Sequence, residues 1–338
     1  LGGSRLWAYQ DPPNLVALGR AALLLGADAK RVLENFFDQA KKADAKCRDV
    51  YLASGDLALN KYDFELAAKV FQEGLKQFPE DPDLHYGLAR AFGPSDRTQM
   101  GTSLEAALEH NPRHVPSHLL LADHLIDAED YDEAEKTLAK ALAVNAWQPE
   151  AWAYRAIIAH LRGDGRAEAE ARDAALKFWP TNPGVLHLLG KKLAQKYRFA
   201  ESATYQRQAL SFDKGFLPAK IQLAQDVLRL GEEQEGWELA EQVHQADGYD
   251  VAAYNLVTLR GSIRKFQTLT NEDFIVRMEP HEAKVYGERA LALLQRAKGV
   301  ICQKFGLTLT QPTIVEIFPE QKDFSVRTFG MPGNPGFL

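Results

Sequence analysis

Four histidines lie within a short stretch, His110, His114, His118 and His124, and histidine is the commonest side chain for binding zinc or moving protons near neutral pH. His110 and His114 straddle Asn111-Pro112, where a helix must end, so they cannot share one helical face. His118 and His124 are six residues apart, which on a helix turns them to different sides. These spacings describe packing and surface histidines and assign no metal ligand. His281-Glu282 opens like the H-E-x-x-H zinc signature, but the fourth residue after His281 is Val285. Cys47 and Cys302 are too few for a disulfide framework and lack metal-ligand spacing, so both read as packing residues. There is no G-x-x-x-x-G-K-[ST] loop, no G-x-S-x-G elbow, and no G-x-G-x-x-G following a strand. The GMPGNPG stretch, Gly330 to Gly336, is too rich in proline to present a row of backbone N–H donors. The residues therefore point to no catalysis by this chain and to no resident cofactor.

Composition narrows the class further. The 338 residues carry a net charge of −6, with 46% apolar and 25% charged residues, as a core-forming protein does. Nothing in that balance supplies the basic face that nucleic acid needs. The longest apolar run, Ala21 to Leu25, is far below the roughly 20 residues of a membrane span. The sequence opens on Leu1 rather than Met, which implies trimming upstream and removes any signal peptide from view. Compartment and oligomeric state have no motif here.

The elements that would position any binding groove repeat. Starts at residues 14, 48, 81, 115, 149, 183 and 217 give a 34-residue period with one spacing of 33. The eighth position reads Ala21, Gly55, Leu88, Ala122, Ala156, Gly190 and Ala224. The twenty-seventh reads Ala40, Gly74, Ala107, Ala141, Ala175, Ala209 and Val243. Small residues at both places let the two helices of a hairpin approach closely, while Phe37, Phe71, Leu104 and Leu138 fill the groove between them. Pro79, Pro112 and Pro180 fall where second helices must stop. Some positions break the pattern: Glu168 and Arg172 in the fifth unit, Ser202 and Gln206 in the sixth, stand where apolar residues belong.

The period, the small residues and the closing prolines resemble the tetratricopeptide repeat family over about three quarters of the chain. The resemblance implies a mostly α fold, an α-solenoid superhelix of about seven helical hairpins over residues 1–262. Asp250 to Phe266 would cap it as one more first helix. It also implies a protein- or peptide-binding groove lined by first helices. Asp56, His85, Asp123, Ala153, His187 and Gln225 are its expected groove residues, over structural positions Gly55, Ala122, Ala141, Ala156, Gly190, Ala209 and Ala224. Relatives that grip a terminal carboxylate do so with lysine and asparagine, and no such clamp stands at these first-helix positions.

After residue 262 the pattern changes to a small α+β, strand–helix–strand unit, 263–338. Phe274 to Met278 is β-prone, Pro280 to Phe305 is a long amphipathic helix stopped by Gly306, and Thr313 to Phe318 is a β-branched strand. So small a unit cannot be a complete domain. The series FIVRM, long helix, TIVEIFPEQKDFSVRTFGMPGNPGFL resembles the opening of a peptidase-MA-like, gluzincin-type metallopeptidase domain of the kind fused behind such repeats in bacteria. That resemblance implies a zinc site on an H-E-x-x-H helix in the full-length protein, downstream of Leu338. The expected function is a scaffold that presents partners or substrate to that domain. The alternatives are a free-standing assembly scaffold with a terminal cap, or an active zinc metallopeptidase in the full-length chain.

Overall fold

A unit with two apolar helical stripes and a turn between them hides both only by folding back on itself and stacking on its neighbours. The structure, a computed structural model, describes residues 11–333. Within them the first hairpin pairs α1 (Pro12–Leu24) with α2, residues 29–43, which contains a π-helical turn at Leu33–Phe37. Five more hairpins follow: α3 (Arg48–Asn60) with α4 (Phe64–Gln77), α5 (Pro82–Phe92) with α6 (Arg97–His110), and α7 (Val115–Asp127) with α8 (Tyr131–Val144). Next come α9 (Pro149–Leu161) with α10 (Gly165–Leu176), and α11 (Pro183–Gln195) with α12 (Phe199–Phe212). The seventh joins α13 (Leu217–Arg229) to α14 (Glu233–Ala246), and α15 (Val251–Ile263) is the expected extra first helix. The chain divides into two compact units between Ala219 and Lys220, inside α13.

Turn chemistry explains why the hairpins recur. Each three-residue turn holds its middle residue at positive φ: Tyr62 at 59°, Glu129 at 63°, Gly163 at 75°, Tyr197 at 61° and Gly231 at 86°. Glycine takes this conformation freely, whereas the two tyrosines and the glutamate take it at about 1–2 kcal/mol each. The next residue often caps the second helix. Asp63 accepts from the Leu66 amide at 3.0 Å and Asp164 from the Ala167 amide at 3.0 Å. The counted starts put the 33-residue spacing between 48 and 81, but α5 begins at Pro82, 34 residues after α3, so the missing residue lies inside the third hairpin. Its turn (93–96) has no residue at positive φ but keeps an aspartate cap, Asp96 to the Gln99 amide at 2.9 Å.

The small residues sit where close approach demands them. Ala122, Ala141, Ala156, Ala209 and Ala224 are each 0% exposed. A Cβ on Gly55 would come within 2.3 Å of the Phe71 ring, and one on Gly87 also within 2.3 Å, so the ring is held between two glycines. Gly190 lies against Gln206, whose Nε2 would be 2.3 Å from an added Cβ. The first hairpin departs from the expected register. Ala21 is exposed, and Gly19 is the residue that meets Phe37, at 2.5 Å from an added Cβ. The shift is two residues, and two local features account for it: a turn of four residues (25–28) instead of three, and the π turn, which accommodates one more.

In the second unit α15 ends at Ile263 and β1 (Gln267–Thr270) begins shortly after. β2 (Phe274–Met278), α16 (Pro280–Phe305) and β3 (Thr313–Ile317) match the expected strand, helix and strand, and Gly306 ends α16 at φ 64°. Two elements were not anticipated, β1 and a closing helix α17 (Gln321–Phe329). The sheet order is β1-β2-β3, with β1 antiparallel and β3 parallel to β2. Its core is Phe274, Val276, Met278 and Ala283, with Leu291 and Leu294 of α16 packed on it. Val326 of α17 joins Leu228, Trp237, Leu256 and Leu259, and Arg327 donates to the Leu228 carbonyl at 3.2 Å. The seventh hairpin and α15 therefore share a core with the end of the α+β segment.

Candidate functional site: a cavity lined by first helices

Within the first unit a cavity of about 490 Å³ opens among the ends of α3, α5 and α7, the turn that leads into α6, and the end of α11. Leu59, Met100 and Leu120 supply its apolar wall, with Tyr62 from the turn of the second hairpin and Phe64 at the start of α4. Arg90, Arg97, Asp123, His124 and Asp127 supply charge and polarity, and Gln195 faces them from α11. An apolar wall with a few fixed polar groups is the usual make-up of a site that grips an organic ligand.

Several polar groups are held by partners. Arg90 donates to Asp56 at 2.8 Å, and its guanidinium lies 5.6 Å from the centre of the Tyr86 ring. Burial pushes the Tyr86 hydroxyl pKa up. Asp123 and Asp127 both face the Lys192 ammonium, at 2.9 and 2.6 Å, and Lys192 is 2% exposed. Tyr154, raised well above the ordinary tyrosine range first by burial, hydrogen-bonds Asp123.

The groove residues expected from sequence do not all meet here. Asp123 lines the cavity and Asp56 reaches it through Arg90. His85 turns to the Pro79 carbonyl at 2.8 Å and stacks on His110. Ala153 is 0% exposed and offers a ligand no surface, a correction to its place in the groove. His187 faces Gln206, Nδ1 to Oε1 at 2.9 Å, with the Phe216 ring 5.7 Å away, inside its own hairpin pair. Gln225 belongs to the second unit, where its amide lies against Gly330.

Sequence reasoning missed Arg90 and Lys192, although a signal was present. Counted from the repeat starts, the tenth position of successive repeats reads Leu57, Arg90, His124, Ile158, Lys192 and Asp226, a charge or imidazole four times in six.

The irregular positions of hairpins five and six form a polar core. His160 of α9 has Glu168 2.9 Å from Nδ1 and Glu201 2.8 Å from Nε2. Glu168 also accepts from the Tyr205 hydroxyl, and Arg198 holds Glu201 through two bonds of 2.6 Å. Burial raises the Glu168 pKa, but the bonds from Tyr205 and His160 outweigh it and leave the carboxyl below its ordinary range. The Arg198 bond lowers Glu201 in the same direction. Ser202 and Gln206 are each 0% exposed, and Gln206 returns a bond to the His187 carbonyl at 3.2 Å. Burial lowers the His187 and His118 pKa values, so both imidazoles are held towards the neutral form.

The four clustered histidines are engaged separately. His114 bonds Ser117 at 2.7 Å and Asp83 at 2.9 Å, His118 bonds the Pro112 carbonyl at 2.9 Å, His110 stacks on His85, and His124 lines the cavity. Among the described residues no group of three His, Cys, Asp or Glu side chains could hold a metal ion. Nor is any helix among them long and apolar enough to cross a membrane.

Comparison with known proteins places repeats within this frame. Residues 52–92 and 102–158 match the Tetratricopeptide repeat family. An uncharacterised protein of Aquifex aeolicus (strain VF5) is 25% identical over 205 residues, 57% of this chain. The match spans only 26% of that relative's own length. Among solved structures, yeast Tom70 is 18% identical with a TM-score of 0.48, covering 75% of this chain and 55% of that one. A tetratricopeptide repeat protein from Parabacteroides merdae ATCC 43184 is 14% identical with a TM-score of 0.48, covering 73% and 97%. YrrB, a TPR protein with an unusual peptide-binding site, is 18% identical with a TM-score of 0.36, covering 55% and 95%.

Proposed function

We propose that this chain is a peptide-binding scaffold whose ligand site is the cavity among α3, α5, α7 and α11. The observation that carries the reading is a volume of about 490 Å³, among the ends of first helices, that joins an apolar wall to His124 of α7 and to Arg97 at the start of α6. Tetratricopeptide repeats typically bind proteins, and an extended segment of a few residues fits such a recess. No nucleophile–base pair is positioned at the cavity, so binding rather than turnover is the chemistry it favours. The test is to select peptides from a displayed library against the chain and measure their affinity for variants. Asp123→Asn and His124→Ala should weaken a selected peptide severalfold, and Glu135→Ala on α8 should not. Equal effects at all three sites overturn the reading.

A second proposal concerns the longer protein. The parallel pair β2–β3 joined by α16 supports reading residues 263–338 as the opening of a metallopeptidase-like domain, with the repeats presenting substrate to it. Zinc would then be held by residues beyond Leu338. Absence of an H-E-x-x-H sequence within the next hundred or so codons of the reading frame would end this proposal and favour a scaffold with a terminal cap.

A further inference from the structure

The inner face of the fifth hairpin is covered by its neighbours. Counting 34 residues from Asp123 of α7 leads to Ile157 of α9, and 34 more to Lys191 of α11. Ile157 thus holds in hairpin five the place that Asp123 holds, beside the cavity, in hairpin four. Yet Ile157 is 1% exposed, and Ala153 one turn earlier is 0% exposed.

Hairpins four and six meet across α9. Lys192 reaches from α11 to Asp123 and Asp127 of α7, 2.9 and 2.6 Å from its ammonium. One turn later Lys196 donates to the Asp127 carbonyl at 3.0 Å and to Glu129 at 3.1 Å. A lysine removed from water is tolerated only with carboxylates around it, and removal of one partner leaves an uncompensated buried charge. Tyr154 of α9 hydrogen-bonds Asp123 and so ties the intervening helix to the pair. Asp123, Asp127 and the neighbouring Gln195 also line the cavity, so the same groups bound the open site and the closed face.

We propose that Lys192 and Lys196 with Asp123 and Asp127 form an ionic clasp that shuts the inner face over α9. Its release extends the cavity along α9 into a groove for a longer peptide. The inference rests on the cavity being the binding site, but the clasp can be tested without any ligand.

The probe is Ile157→Cys in a Cys47→Ala, Cys302→Ser background, with N-ethylmaleimide labelling followed by mass spectrometry. With the clasp intact the introduced thiol should react slowly. Lys192→Met or Lys196→Met should accelerate labelling at least tenfold, whereas Lys191→Met, an exposed neighbour outside the clasp, should not. If Lys192→Met fails to fold, Lys196→Met decides, because it removes only the outer half. Leu138→Cys, buried in α8, reports general loosening: its labelling should stay unchanged. Unchanged labelling of the Ile157→Cys thiol, or equal acceleration in the Ile157→Cys and Leu138→Cys chains, overturns the clasp. Neither result bears on whether selected peptides bind the cavity, so the two ideas can fail separately.

Discussion

Gly87→Ala is the sharpest perturbation of the hairpin packing. An alanine Cβ there would stand 2.3 Å from the Phe71 ring, against ordinary contact at 3.4–4 Å, so the ring must give way by about 1 Å. It cannot retreat towards α3, because Gly55 already lets that helix come equally close on the other side. Overpacking of a filled core costs about 1–3 kcal/mol. Alanine recovers about 0.5–1 kcal/mol of helix propensity over glycine, which leaves a net loss of up to about 2.5 kcal/mol. Gly101→Ala in the middle of α6, with nothing within 4 Å of the new methyl, should show only the propensity gain. Urea unfolding followed by circular dichroism measures both. Pairing Gly87→Ala with Phe71→Leu should recover most of the loss, a coupling of about 1 kcal/mol or more. If Gly87→Ala stabilises the chain as Gly101→Ala does, or if the double variant is additive, the two-glycine clamp on Phe71 is refuted.

Other outcomes follow from the same geometry. Gly163→Ala should cost about 1–2 kcal/mol, because φ is 75° with open space around it. Gly165→Ala, two residues on at an ordinary φ, should not, and equal melting temperatures for the two would refute the turn requirement. His187 should make the chain less stable as pH falls. Above its ordinary pKa of 6.5 both folded and unfolded imidazoles are neutral; below it the unfolded chain takes a proton that the buried ring resists. His187→Asn should therefore flatten the loss of melting temperature between about pH 6.5 and 5, and an unchanged slope would contradict this. Glu168 and Glu201 act lower on the scale. Their depressed pKa values add stability above about pH 4.5 that is lost on further acidification, so Glu168→Gln should shallow the acid limb of a melting-temperature profile.

The repeat was legible because its determinants are local. Period, closing prolines and small residues such as Ala122 and Ala141 each leave a mark at fixed spacing. The first hairpin escaped because a longer turn and a π turn displaced Gly19 from the counted register without changing the residue types. In the second unit β1 escaped because QTLT is only four residues and mostly exposed, with strand character supplied by its pairing to β2. The groove was less legible than the scaffold. Position within a repeat fixes direction from a helix axis, but not what a neighbouring hairpin lays over it. Ala153 points inward and is nevertheless covered, while His187 is claimed by Gln206 from the adjacent helix. Glu168, Ser202 and Gln206 read as defects in an apolar pattern, yet they partner one another's neighbours. The partners of Lys192 lie 65 and 69 residues away, a separation no local pattern reports.

Hydrogen–deuterium exchange of the chain with and without a selected peptide tests the central claim most directly. Protection is expected at the carboxyl-terminal ends of α3, α5 and α7 and in the turn entering α6, with the second helices α8 and α10 unchanged. Protection confined to those second helices, or to residues 263–333, would contradict the assignment of the cavity as the binding site.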